Sequence, residues 1–243
     1  MNNIKLVTVA LIAIMSLSGC SAVGTAIKKR NLEVKTVMSD TIWLDPVSSD
    51  KHTVYLQVKN TTDKAFSIDQ ELSQKLNTKG YSVVSDPDKA HYWVQANILK
   101  MDKMDLREAQ GFLGGGYGSA LTGGGLAALA VAANTSHSNS IAGAGLIGAA
   151  IGFAADAIVE DVNYTMITDI RVVERTTNKV VNNDVAALSN GNAGTLNSSS
   201  STEEYLKRYQ TRIMSNANKV NLDFTEAQPA LIDGLTTSIS GLF

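Results

Sequence analysis

The sequence predicts an α+β fold in which two mixed halves, β-α-β-β and β-β-α, flank an inserted Gly/Ala-rich transmembrane α-helical hairpin. Three observations lead there. Apolar residues alternate in several short runs on both sides of the middle of the chain, and recur at helical spacing in two others. Residues 109–155 contain no Lys, Arg, Asp or Glu. The single cysteine, Cys20, closes an apolar N-terminal run.

That run comes first. Lys5 supplies a positive n-region, residues 6–15 an apolar h-region, and Ser16, Ser18 and Gly19 the small residues that end a secretory signal peptide, residues 1–19. The h-region is shorter than the roughly 20 residues that a spanning helix needs. Leu17, Ser18, Gly19 and Cys20 have the pattern of a bacterial lipobox. In that reading the Cys20 sulfur carries a diacylglycerol, cleavage follows Gly19, and the freed amino group takes an acyl chain. The alternative is an ordinary signal peptide with a chance cysteine. Several acyl chains anchor stably, at about 0.8 kcal/mol per buried methylene, where one is marginal. Ser21 fits the outer-membrane sorting class rather than the Asp class kept at the inner membrane. No cofactor is expected beyond these covalent lipids. With no second cysteine, an exported chain gains nothing from disulfides and relies on apolar burial.

The balance of 21 Lys+Arg against 23 Asp+Glu argues against a nucleic-acid partner, which would want a basic patch. Residues 20–40 read as a lipidated tether. Its Lys28-Lys29-Arg30 cluster suits either anionic headgroups or a solvated linker.

The first half covers residues 41–110. Its segment HTVYLQVKN, from His52, alternates as a strand does and ends in a polar turn at residues 61–64. Ile68, Leu72 and Leu76 mark one face of a helix that Gly80 ends. YSVV from Tyr81 is a short strand, Asp86-Pro87-Asp88 a turn, and HYWVQANILKM from His91 a longer strand.

Residues 111–159 form the hairpin. Of the chain's 19 glycines, most fall between Gly111 and Gly152. Residues 111–133 are long enough to cross about 30 Å of hydrocarbon as a helix. The polar stretch Asn134, Thr135, Ser136, His137, Ser138, Asn139 and Ser140 makes an outward-facing tip, a candidate specificity segment. Residues 141–159 are apolar again apart from Asp156. Ala120, Gly124, Ala128 and Ala132 recur every fourth residue, as do Ala144, Gly148, Gly152 and Asp156. Such ridges let helices approach closely in lipid. Two crossings return the chain to the side it left, so both halves stay periplasmic. A lone two-helix hairpin is a poor membrane body, so the expectation is a ring-like homo-oligomer. The competing reading is a glycine-rich hairpin buried in protein or lying on the membrane. Asp156 is either an inter-subunit polar position or the wet end of the arm. GAGLIG, from Gly143, matches a dinucleotide fingerprint but lacks the preceding strand and the acid about 20 residues on.

The second half covers residues 160–243. VNYTMITDIRVVERT from Val162 reads as a strand, residues 177–179 as a turn, and VVNNDVAAL as a returning strand or loop. Residues 190–202 are loop-like, and YLKRYQTRIMSNA from Tyr205 is strand-like. Ala230, Leu231, Leu235 and Ile239 give a C-terminal helix.

Catalytic chemistry is missing. His52, His91 and His137 stand apart from acids at ligand spacing, and there is no nucleophile elbow or P-loop. Glu160-Asp161 and Glu203-Glu204 read as solvated or capping acids. Nothing argues for an enzyme or a metal site.

Four stretches resemble the TraT family of surface-exclusion lipoproteins of conjugative F-like plasmids. They are TAIKKRNLEVKT from Thr25, SDPDKAHYWVQANILKMDKMDLRE from Ser85, AADAIVEDVNYTMITD from Ala154 and YQTRIMSNANKVNL from Tyr209. The likeness weakens over residues 48–52, 111–151 and 182–204. The resemblance implies an oligomeric outer-membrane lipoprotein, lipid-anchored and partly surface-exposed. It would reduce entry of a related plasmid by interfering with mating contacts, and be linked to complement resistance. The implied partners are further copies of itself, outer-membrane lipid, and a donor's mating apparatus or another outer-membrane protein. The rival class is a structural glycine-zipper envelope lipoprotein, or an outer-membrane channel or scaffold.

Overall fold

The computed structural model describes residues 29–119, 160–189 and 195–243; over 182–189 and 195–204 it describes the backbone alone. These residues form one six-stranded sheet with three helices. The strands are β1 (Glu33–Met38), β2 (Thr53–Asn60), β3 (Ser82–Val84), β4 (Tyr92–Lys103), β5 (Asp161–Ser189) and β6 (Thr195–Val220). The helices are α1 (Asp69–Thr78), α2 (Leu106–Gly114) and α3 (Phe224–Ser240). The order across the sheet is β1-β6-β5-β4-β2-β3. β2 pairs in parallel with both β3 and β4, and the other neighbours are antiparallel.

The fold class read from the sequence needs correction in two respects. The two halves do not form separate layers: β4 of the first is hydrogen-bonded to β5 of the second from Tyr92↔Glu174 to Lys103↔Tyr164, so they share one sheet and one core. The transmembrane hairpin also loses its ground. Among the described residues no helix is long and apolar enough to cross a membrane. The run expected to be helical from Gly111 to 133 stops as α2 at Gly114, followed by left-handed backbone at Gly116 (φ 69°) and Gly118 (φ 74°). Glycine adopts that region without a Cβ clash, and it ends a helix. The ring-like homo-oligomer was inferred from the hairpin and falls with it.

One face of the sheet carries the main core. β4 turns Tyr92, Val94, Ala96 and Ile98 to it at every second residue, then slips register between Ile98 and Lys100 so that Met101 continues the row. α1 adds Leu72 and Leu76, just after the buried Ile68, and α3 adds Ala227, Leu231, Leu235 and Ile239. Each such Leu or Ile contributes about 1.5–3 kcal/mol on burial. α1 ends in a Schellman pair: Tyr81 N–H donates to the Leu76 carbonyl and Gly80 N–H to the Asn77 carbonyl, both at 3.0 Å, with Gly80 at φ 86°. Lys75 joins the two helices, donating to Asp233 Oδ1 at 2.7 Å and to the Thr236 and Thr237 hydroxyls at 2.8 and 2.7 Å.

β5 and β6 pair over most of their 29 and 26 residues. The turn expected at residues 177–179 is an irregularity inside β5, lying between Arg175↔Leu206 and Val180↔Glu204. Glu33–Met38, read as part of the tether, is the edge strand β1.

Candidate functional site

The opposite face of the sheet holds the ground from which the glycine-rich block departs and to which the chain returns. Asp105 caps α2 by accepting the Arg107 N–H at 2.7 Å, and Glu108 follows three residues later in the manner of a capping box. The helix packs Ala109 and Phe112 on Ile167 and Met214, with Met104 closing a second, smaller core.

Beside that core lies a buried ion pair. Arg212 is fully buried and Asp169 is 8% exposed. Arg212 Nε donates to Asp169 Oδ1 at 2.6 Å and Nη2 to Oδ2 at 3.0 Å. Nη1 donates to the Phe112 carbonyl (3.0 Å) and the Ser119 hydroxyl (2.6 Å), and Nη2 also to the Ser119 carbonyl (2.9 Å). A guanidinium has five N–H donors, so every one is used. Asp169 Oδ2 further accepts the Gly118 N–H at 2.8 Å. An isolated buried charge would be prohibitive; this pair persists because its hydrogen bonds are complete. Its other partners are backbone and hydroxyl atoms of residues 112–119, so it fixes the path of the chain as it leaves the sheet.

The returning end is fastened as well. Glu160 N–H donates to Asn221 Oδ1 at 2.9 Å, and Asn221 N–H donates to the Glu160 carbonyl at 2.8 Å. Asn221 sits at φ 51°, a left-handed position that Asn tolerates. Glu160 pairs with Lys103 and Asp161 with Lys29. Burial opposes the Asp161 charge, but hydrogen bonds from Lys29 and Asn218 outweigh it and hold the carboxyl below its ordinary value. A cleft of about 520 Å³ lies on this face, lined in part by Lys35, Lys103, Asp105, Asp161 and Asn216.

A second polar group surrounds His91. Burial lowers its pKa, Lys51 and Arg175 reinforce the shift, and Glu174 opposes it. Its Nε2 is shut off from solvent without a partner. Glu174, itself buried, accepts the Tyr209 hydroxyl at 3.0 Å. His52 stacks on Tyr81 with ring centres 4.4 Å apart. Among the described residues no group of three or more His, Cys, Asp and Glu side chains could hold a metal ion.

The site residues read from the sequence fall elsewhere. Leu17, Ser18, Gly19 and Cys20, the stretch 134–140, the small-residue positions Ala120, Gly124, Ala128, Ala144, Gly148 and Gly152, and Asp156 all lie outside the described residues. Sequence reasoning did not single out Asp169 or Arg212. The only available signal was a charge inside each of two strand-like runs, TDIRVV and YQTRIM.

The model of a family described as "Enterobacterial TraT complement resistance protein" matches residues 31–243, which span every strand and helix from β1 to α3. The chain belongs to the TraT family. An Escherichia coli protein called TraT complement resistance protein is 52% identical over 240 residues, covering 98% of each chain. One from Escherichia coli strain K12, of the same name, is 51% identical over 240 residues. A third, from Wigglesworthia glossinidia brevipalpis, is 34% identical over 250 residues, covering all of this chain and 98% of the relative. The TraT match takes in both ends of the clamp, Phe112 and Ser119 on one side and Asp169 and Arg212 on the other.

Proposed function

We propose that this TraT-family chain is an outer-membrane lipoprotein, anchored by acyl chains on Cys20 and partly exposed at the cell surface. It protects the cell against complement and lowers entry of a related plasmid by surface exclusion. The observation that carries complement resistance is the near-full-length similarity to proteins bearing that name. Exclusion rests on the resemblance carried by residues 25–36, 85–108, 154–169 and 209–222. Anchoring rests on the lipobox of Leu17, Ser18, Gly19 and Cys20. The action is one of position, not of reaction: the protein occupies the surface where a complement component or a donor's mating apparatus would make contact.

Exclusion specificity is assigned to residues 134–140, a polar stretch inside the uncharged block and a departure point from the family pattern.

Plasmid-free recipient cells expressing this gene alone test the reading. Exclusion requires that conjugation fall from a matched donor and not from an unrelated one. Exchanging residues 134–140 for those of a relative should transfer the specificity. Unchanged conjugation and unchanged serum survival would leave a structural envelope lipoprotein or scaffold as the better reading.

A further inference from the structure

At one end the sheet narrows from six strands to two. β4 leaves β5 at Tyr92↔Glu174, and from Val180↔Glu204 to Ser189↔Thr195 β5 and β6 pair with each other alone among the described residues. The register slips between Arg175 and Val180, where this two-stranded extension begins. His91 sits at that joint. Its carbonyl accepts the Arg175 N–H at 2.9 Å, the last described rung holding β5 to this corner. Its own N–H is held by Thr53 of β2, at 3.1 Å to the carbonyl and 2.9 Å to the hydroxyl. The Arg175 side chain fastens the same corner, with Nε on the Ala90 carbonyl at 2.9 Å and Nη2 on the Pro87 carbonyl at 3.1 Å.

Ionisable groups crowd the joint from each element packed there. Glu174 and Arg175 act on His91 from β5, and Asp50 and Lys51 from the turn before β2. The Tyr92 ring stands edge-on to it with ring centres 4.6 Å apart. From farther along the same depression come Lys207 of β6 and Asp45 of the β1–β2 connection. Asp45 is engaged by Lys207 at 3.3 Å, and the buried Glu174 by the Tyr209 hydroxyl at 3.0 Å. His91 Nε2 has neither a partner nor solvent. A proton on His91 therefore adds a third cation beside Lys51 and Arg175 at an enclosed nitrogen, and hydration of that charge requires the corner to open.

We propose that this corner is a proton-operated joint: when His91 takes up a proton, the rung from Arg175 to His91 opens and the β5–β6 extension is released from the end of the sheet. Burial holds the His91 pKa below its ordinary value in the closed joint, against the pull of Glu174 and with the push of Lys51 and Arg175. The open joint thus binds the proton more tightly than the closed one, so acid favours opening. The rest of the sheet keeps its core, because Val94, Ala96 and Ile98 lie further along β4 and carry no titrating group. The response is local, a change in how the extension sits on a sheet that stays folded.

Hydrogen exchange of the full chain in detergent, read by segment and corrected for the intrinsic rate at each pH, is the test. At pH 7.5 the amides of His91 to Trp93 and Glu174 to Thr176 should already open more often than those of Val94 to Ile98. At pH 5.5 their opening should rise several-fold, up to a bound of about tenfold set by an open-state pKa near 6.5. His91→Gln should remove the rise. Glu174→Gln, which keeps an acceptor for Tyr209, should bring the rise closer to that bound, and Lys51→Gln, at an exposed position, should shrink it. These two carry the test if His91→Gln proves unfolded by circular dichroism, and rises in both equal to the wild type's would overturn the proposal. Absence of any rise in the wild type overturns it, as does an equal rise in a folded His91→Gln. Protection at the joint matching the slowest core amides at both pH values also overturns it, by assigning the proton to global unfolding.

Discussion

Arg212 holds Asp169 at two points, Nε to Oδ1 at 2.6 Å and Nη2 to Oδ2 at 3.0 Å, and uses its remaining donors on Phe112 and Ser119. One fully buried side chain thus ties β6, β5 and the start of the glycine-rich block together. Removing one member of a buried pair strands the other, which costs about 3–5 kcal/mol. Arg212→Ala should lower the urea-unfolding free energy by that much. Arg212→Lys should recover little, because an ammonium cannot reproduce the fork. A loss below about 1 kcal/mol for Arg212→Ala would show that the clamp does not hold this face.

Gly234 marks a close approach of α3 to β1. A Cβ there would lie 2.5 Å from Thr36 Oγ1 and 3.4 Å from Val34 Cγ1. On an exposed helix Gly→Ala stabilises by up to about 1 kcal/mol. Here overpacking, at about 1–3 kcal/mol, should reverse the sign. Thr36 Oγ1 is also held to Ser215 Oγ at 2.9 Å, so it has little room to yield. Combining Gly234→Ala with Thr36→Ala should recover part of the loss, and thermal unfolding of the double-mutant cycle measures that coupling.

His91 makes stability depend on pH. Burial keeps its folded-state pKa below the value of about 6.5 expected when unfolded, against the pull of Glu174 and Asp50 and with the push of Lys51 and Arg175. As pH falls below about 6.5 the unfolded chain takes up the proton first, so the folded state loses stability until the lower folded pKa is reached. His91→Gln should flatten this dependence. Urea unfolding at pH 7.5 and 5.5 checks it, and an unchanged slope in the variant would assign the effect elsewhere.

Much of the fold was legible because it rests on local pattern. Ile68, Leu72 and Leu76 with Gly80 mark α1, and Leu231, Leu235 and Ile239 mark α3, since each spacing puts its apolar atoms on one buried face. The parts that were not legible depend on distant partners. β1 is exposed over Glu33, Val34 and Lys35 and half-buried over Thr36, Val37 and Met38, with no alternation to mark it, and is a strand because β6 offers residues 213–218 for pairing. Thr176 to Lys179 has the composition of a turn, and Thr176 Oγ1 donates to the Asn178 carbonyl at 2.5 Å as in one. Yet the chain does not reverse there, because β6 continues alongside. α2 straddles the start of the uncharged run, which reads as one membrane-crossing arm from Gly111; the left-handed backbone at Gly116 and Gly118 follows the helix end at Gly114. Arg212 and Asp169 carry no local signature, since their meeting is set by the β5–β6 register.

The proposed function depends most on the anchor, and serum survival of a complement-sensitive strain tests it directly. Cells expressing the wild-type chain and a Cys20→Ala variant at matched levels would be exposed to fresh and to heat-inactivated serum. The account predicts that the wild type raises survival in fresh serum, that Cys20→Ala loses this protection, and that heat-inactivated serum shows no difference. Equal protection by Cys20→Ala, or none by the wild type, would contradict it.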